Sequence, residues 1–270
     1  MTNFGFDFAP FGALADPVVM AELAVVAEGS GWDGVFVWDH IMYREPVTDV
    51  GDPWIGLAVI AAATESVALG VMVTPLPRRR PQIVARQSVG IDQVSGGRFV
   101  LGVGLGLDRS GRELSAFNEE LDDKTRAVML DESLNVINRL WSGEAVSHDG
   151  DHYVIDDVAF LPRPISTPRP PIWVAGRWPF RRPMRRAAAW DGLFLIDCAE
   201  PAELAEAADF VLAERGSLDG FDIVTHLPRS DDAGPWREAG ATWIMTKTRY
   251  TASADELFDL ASQGPWIDGQ

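Results

Sequence analysis

Apolar residues along this chain follow two alternating rhythms. Short, nearly continuous runs rich in Val, Ile, Leu and Phe are each followed by a longer stretch with apolar positions every three or four residues. The first pattern is that of strands buried on both faces, the second that of helices covering them. Strands are expected at 4–8, 34–38, 67–74, 99–104, 171–175, 192–196, 221–226 and 242–246. Helices are expected at 16–30, 53–65, 81–94, 124–141, 181–189, 201–215, 231–239 and 253–262. Asp16 and Pro17 supply the N-cap and first-turn residues of the first helix, and Gly31 ends it. Strand–helix–strand units require parallel pairing through right-handed crossovers. Eight of them in roughly 250 residues predict an α/β fold, the (β/α)8 or TIM barrel. The rival is an open doubly wound sheet, and no Gly-x-Gly-x-x-Gly turn follows the first strand to support it.

The alternation breaks once. Residues 143–170, between the fourth helix and the fifth strand, are polar and rich in Gly, Asp and Pro, with a turn expected at 148–151. They read as an insertion, a small hairpin, so that 1–270 is expected to form a single barrel domain.

Charge narrows the functional classes. A net charge of −17 disfavours nucleic acid and anionic membrane as partners and leaves a small-molecule substrate open. The single cysteine, Cys198, rules out an intrachain disulfide and a cysteine-rich metal site, and fits the reducing cytoplasm. The four histidines show no metal-ligand spacing, so no metal is expected. The N-terminus lacks a signal-peptide pattern, and no apolar run is long enough for a membrane span. Apolar residues near the C-terminus, Phe258 and Trp266, hint at a homodimer.

In a barrel the chemistry sits at the C-terminal strand ends. Asp39-His40 follows the second strand, where a carboxylate beside an imidazole can tune proton transfer. Met72, Val73 and Thr74 end the third strand, and Arg78-Arg79-Arg80 follow, placed to meet an anion or to be solvated. Gly104, Leu105 and Gly106 end the fourth, where alternating glycines allow either close ligand approach or a tight turn. Asp108, Glu113 and Asn118 lie downstream as pocket candidates or plain loop residues. Ala175, Gly176 and Arg177 end the fifth strand, and with Arg181, Arg182, Arg185 and Arg186 they give five arginines in ten residues at a helix start. That is a candidate anion site, or a set of ion pairs with an acidic surface. His226 ends the seventh strand and either lines the pocket or packs.

Several stretches, in this order, resemble the luciferase-like monooxygenase superfamily of flavin- and deazaflavin-dependent oxidoreductases. They are Asp92 followed by Ser95-Gly96-Gly97-Arg98, Leu140-Trp141-Ser142-Gly143, Pro168 through Gly176, and Ala187 through Gly192. The resemblance is strong over 4–200 and weaker beyond. It implies an isoalloxazine-like ring at the barrel mouth, supported in deazaflavin members by a bulge with a non-prolyl cis peptide, by position Met72–Val73. It implies Asp39 as a ring contact, His40 as proton donor or base, and Gly176-Arg177 as a phosphate-binding turn. Members commonly have Gly or Ser where this chain has Met72. Some relatives carry a Glu at the fourth strand's end, where this chain has only Asp108 nearby, so a sugar-phosphate dehydrogenase role is not implied. The expected cofactor is the deazaflavin F420, on the Asp-His pair and on an arginine excess suited to its multiply charged tail. The alternatives are an FMN-dependent monooxygenase and a cofactor-free barrel acting as a binding subunit.

Overall fold

The computed structural model describes residues 1–266. In chain order the strands are β1 (Asn3–Phe8), β2 (Gly34–Val37), β3 (Ala68–Pro75) and β4 (Phe99–Gly104), then β5 (Ala145–Asp149) and β6 (Val154–Ala159), then β7 (Ile172–Gly176), β8 (Gly192–Leu195), β9 (Asp222–Leu227) and β10 (Trp243–Thr246). All but β5 and β6 form one closed parallel barrel in the order β1-β10-β9-β8-β7-β4-β3-β2. Closure is direct: β1 pairs with β2, Phe6 opposite Val35, and with β10, Phe4 opposite Ile244. An open sheet is thereby excluded.

Helices α1 (Pro17–Gly29), α2 (Pro53–Ala63), α3 (Pro81–Val94), α4 (Asp123–Leu140), α5 (Arg181–Ala188), α6 (Pro201–Arg215), α7 (Gly234–Glu238) and α8 (Ala254–Ser262) follow the barrel strands. Their starts obey local chemistry. Asp16, Asp52 and Asp122 accept hydrogen bonds from the first free N–H groups of α1, α2 and α4, and Ser253 with Glu256 forms a capping box on α8. The helix expected at 231–239 shrinks to the five residues of α7.

The insertion is the antiparallel hairpin β5–β6. Its turn lies later than 148–151, because His148 and Asp149 pair with Ile155 and Val154. The reason is Glu132 on α4, whose carboxylate takes hydrogen bonds from His148 Nε2 at 2.9 Å, from His152 N at 3.1 Å and from Tyr153 N at 2.8 Å. A long-range clamp thus decides the register that local turn propensity had placed earlier.

Strand alternation divides the core in two. Val35 and Val37 face the helices, while Phe36 joins Met72, Val100, Trp173, Phe194, Val224, Trp243 and Met245 inside the barrel. Trp173 is the hub, with ring centroids 5.6 Å from Phe36 and 5.4 Å from Trp243. Trp266 is also core. It is 7% exposed, packs on Phe4 and Trp32, and donates to Asp231 O at 3.0 Å, while Phe258 is half-buried. The apolar hint of self-association therefore loses its basis. Among the described residues no helix is long and apolar enough to cross a membrane.

The motif that carries the strongest family resemblance is architectural. Arg98 donates to the carbonyls of Ala61, Thr64, Val67 and Ser95, fastening the end of α2 to the strands beside it. Buried Asp92 accepts from Ile165 N and Ser166 N, docking the segment after the hairpin. These contacts lie at the N-terminal ends of β3 and β4, the stability face of such barrels.

Candidate active site

At the opposite, C-terminal face the strand ends enclose a cavity of about 870 Å³. Its apolar shelf comes from Met72, Val73, Gly104, Leu105, Ala175 and Gly176, with Gly106 alongside. The shelf is built around an irregularity in β3. The pairing with β4 shifts register between Val71 and Thr74, and the Met72–Val73 peptide is cis, at the position the resemblance implies. Two glycines accommodate this. A Cβ on Gly102 would stand 2.2 Å from Val71 O, and Gly106 has φ +78° with Pro75 against it. The Gly-rich end of β4 is therefore required by the packing of the bulge itself.

One side of the cavity is a closed charge network. Asp39 is fully buried. Its Oδ1 accepts from Arg78 and Arg79, both at 2.8 Å, and its Oδ2 from Arg79 at 2.9 Å, Thr74 Oγ1 at 2.6 Å and Trp54 Nε1 at 3.1 Å. Burial alone would raise its pKa, yet the Arg79 and Arg78 charges hold it below the ordinary carboxylate value. Two expectations change here. Arg78 and Arg79 are committed to Asp39 and do not await an external anion. Asp39 borders the cavity, but its carboxylate faces those arginines, and Thr74 is buried behind it and outside the lining.

Glu113 is the residue that sequence reasoning undervalued. It lies nine residues past the end of β4, in a loop whose polar residues are by default solvated. The loop folds back so that Glu113 is 2% exposed, with Oε2 2.7 Å from His40 Nδ1 and Oε1 accepting from Arg78 at 2.7 Å and Ile41 N at 2.8 Å. Burial would raise its pKa, but the His40 hydrogen bond and charge, with Arg78 and Ile41 N–H, lower it. An ionised Glu113 only accepts, so His40 must donate through Nδ1, leaving Nε2 as its free atom. Asp108, the expected substitute for a strand-end Glu, caps the same loop from outside, accepting from Leu114 N and Ser115 N. Glu113, not Asp108, is therefore the carboxylate of this loop that lines the cavity. Asn118 sits in a left-handed turn on the surface.

The other end of the cavity is cationic. Lys124 at the start of α4 and Arg177, Arg181 and Arg182 around the start of α5 line it, and Phe180 provides α5 with no side-chain cap. The arginine cluster does not act as a unit. Arg185 pairs with Glu214 on the surface, Arg186 lines the cavity but is paired with Asp131, and Arg177 pairs with Asp197 at 2.8 Å. Arg181 stacks over Phe210 at 5.4 Å, and Arg182 has no ion-pair partner among the described residues. Phe194, Ile196, His226 and Lys247 complete the walls. Among the described residues no group of three metal-ligating side chains occurs.

A closed parallel barrel carries, at the C-terminal ends of its strands, an apolar shelf over a β3 bulge with an anchored imidazole on one side and cations on the other. The luciferase-like monooxygenase family model matches residues 12–265, and the chain belongs to that family. It is 35% identical over 170 residues to the F420-dependent glucose-6-phosphate dehydrogenase of Nakamurella multipartita, covering 60% of this chain and 48% of that protein. It is 31% identical over 235 residues to the protein of the same name from Segniliparus rotundus, covering 82% and 67%. A third relative, the oxygenase component of flavin-dependent trigonelline monooxygenase from Acinetobacter baylyi, is 28% identical over 160 residues, covering 59% and 43%. The chain spans about half the length of most of the curated relatives it matches. Among solved structures, coenzyme F420 dependent tetrahydromethanopterin reductase from Methanopyrus kandleri has a TM-score of 0.76 at 16% identity, covering 97% of this chain and 98% of that one. An F420-dependent secondary alcohol dehydrogenase has a TM-score of 0.73 at 22% identity, covering 96% and 81%. These likenesses establish the fold.

Proposed function

We propose that the protein is an F420-dependent oxidoreductase that moves a hydride between the deazaflavin and a small organic substrate, working as one barrel over 1–270 in the reducing cytoplasm. The observation that carries this reading is the cavity's polarity: an uncharged shelf lies between the His40–Glu113 pair and the cations of α5. The names of the curated relatives support F420. The arginine excess supports it less than the sequence suggests, because Arg78 and Arg79 are occupied.

The residues present fit such a cofactor. Met72, Val73, Gly104, Ala175 and Gly176 offer a surface without charge to a flat ring. Arg182, Arg181 and Lys124, with the uncapped N–H groups of α5, suit its phosphate and acidic tail. When bound, the deazaflavin supplies the acceptor or donor of the hydride. The protein's part is to hold and orient, to exclude water from the shelf, and to move a proton. His40 does the last: Glu113 fixes its ring and tautomer, Arg78 fixes Glu113, and Nε2 gives or takes the proton that accompanies the hydride.

The test is a fluorescence titration of the purified protein with F420 and with FMN. F420 is expected to bind at least tenfold more tightly; tight FMN binding without F420 binding overturns the proposal. The family's flavin-dependent relatives make an FMN monooxygenase the second reading. Oxygen consumption during turnover would identify it. Uptake of neither cofactor would instead favour a cofactor-free binding subunit.

A further inference from the structure

The cavity contains a second imidazole–carboxylate pair on separate elements. His226 is the next-to-last residue of β9, and its Nε2 lies 2.6 Å from Asp7 Oδ2 in β1. Asp7 is 0% exposed and also accepts from Trp38 Nε1 at 2.8 Å. Asp7 differs from the other two buried carboxylates of the site. Asp39 is balanced by two arginines and Glu113 by one, whereas Asp7 has no ion-pair partner but His226 among the described residues. Its Oδ1 is buried without any hydrogen-bond partner. Burial raises its pKa, with His226 and Trp38 opposing. An uncompensated carboxylate in a strand interior is costly unless a proton is shared with it. The 2.6 Å contact lets Asp7 and His226 share one proton through Nε2, and His226 lines the cavity with Nδ1 as its other ring nitrogen. Phe194 packs edge-on against the ring at 4.8 Å and fixes its plane. The other charged groups lining this cavity near the ends of β7, β8 and β10 are Arg177 and Asp197, paired to each other, and Lys247.

Topology places this pair. In the closed order β1-β10-β9-β8-β7-β4-β3-β2, strand β9 is four strands from β3 in either direction. His226 thus stands across the mouth from the Met72–Val73 bulge, while His40 follows β2, the immediate neighbour of β3. Trp38 joins the two sides, bonded to Asp7 and with its ring centroid 6.1 Å from that of His40.

We propose that His226, held by Asp7, is a second catalytic residue that exchanges a proton with the substrate's oxygen, and that the substrate is a small alcohol or its carbonyl counterpart seated between the β3 shelf and β9. The proposal rests on the F420 reading for the hydride partner. In the oxidative direction the substrate C–H bond breaks, its electron pair leaving with the hydrogen as hydride to the deazaflavin. The O–H proton passes to Nδ1 of His226, and the carbon–oxygen bond becomes double. His40 then serves the cofactor side and His226 the substrate side. Asp7 is a positioning residue.

The test uses the full chain, wild type and the variants His226→Gln, His226→Gly and Asp7→Asn. F420 affinity, read by fluorescence, is expected to stay within about threefold in all. Turnover of F420 with cyclohexanol, or with the best alcohol of a panel including glucose 6-phosphate, is expected to fall about 100-fold in H226Q. Added imidazole should restore part of it in H226G, which a merely structural role would not allow. D7N should displace the limb of the kcat pH profile that wild type shows. The proposal is overturned if H226Q keeps kcat within threefold, if its loss lies in F420 affinity, or if F420-loaded wild type oxidises no alcohol. Should wild type bind no F420, the functional reading fails by itself. The His226 signal of 15N-histidine-labelled, cofactor-free protein then decides: a shift on adding cyclohexanone supports the pair's role, and no shift overturns it.

Discussion

At the residue scale, three buried carboxylates near one cavity do different work because their neighbours differ. Asp39 sits between Arg78 and Arg79 and organises the strand ends. Replacing it with Asn leaves Arg79 without its counter-ion and Arg78 with Glu113 alone, and denaturant unfolding should show a loss of about 3–5 kcal/mol. The pH dependence follows from its lowered pKa. A carboxyl whose folded value is depressed contributes fully above its unfolded value, and the contribution disappears as pH falls to the depressed one. The Asp39 term should thus be intact at neutral pH and vanish only below about pH 4, so the stability difference between wild type and D39N should narrow there. Glu113 acts on its neighbour. Glu113→Gln can donate to His40 and allow the wrong tautomer, so kcat should fall by about 100-fold, with F420 affinity unchanged. Equal turnover in E113Q would remove Glu113 from the mechanism.

At the element scale, the start of α5 and the β5–β6 hairpin show opposite outcomes for polar stretches. In α5, Arg181 and Arg185 share one face, both over Phe210, and Arg182 and Arg186 the next, because residues four apart lie one above the other; Arg181, Arg182 and Arg186 line the cavity and Arg185 does not. The double variant Arg181→Ala/Arg182→Ala should weaken F420 binding by roughly tenfold or more, an effect that shrinks with salt. Arg185→Ala, on the surface side, should leave it unaltered. The hairpin depends on one carboxylate. Glu132→Ala should speed hydrogen exchange across 145–159 without affecting α1 or α2, since its oxygens satisfy two turn N–H groups and His148.

At the scale of the whole molecule, the aromatic plug inside the barrel separates a structural floor from a reactive rim. Arg98 and Asp92 secure the floor, and Trp173, Phe36 and Trp243 fill the middle. Trp173→Ala should cost about 3–5 kcal/mol in denaturant unfolding, without directly removing a group from the cavity lining. This division explains why the family-like motifs were easy to read while the site was not. A motif such as Ser95-Gly96-Gly97-Arg98 is contiguous and answers to local backbone needs. The cavity draws on β3, β4, β7, β8 and β9, on the segments after β2 and β10, and on the starts of α4 and α5 together.

The sequence by itself determined the alternation of strands and helices, hence the closed parallel barrel, the place of the insertion, and which strand ends would meet at the mouth. Periodicity and capping are local, and the handedness of crossovers leaves few ways to connect such elements. Tertiary structure alone decided which charges would be spent on one another. Arg78 and Arg79 meet Asp39, a loop brings Glu113 to His40, and β1 delivers Asp7 to His226 across 219 residues of chain. The partner of a buried charge is chosen by proximity in space and by the cost of leaving it unpaired, and neither is written in the spacing of residues along the chain.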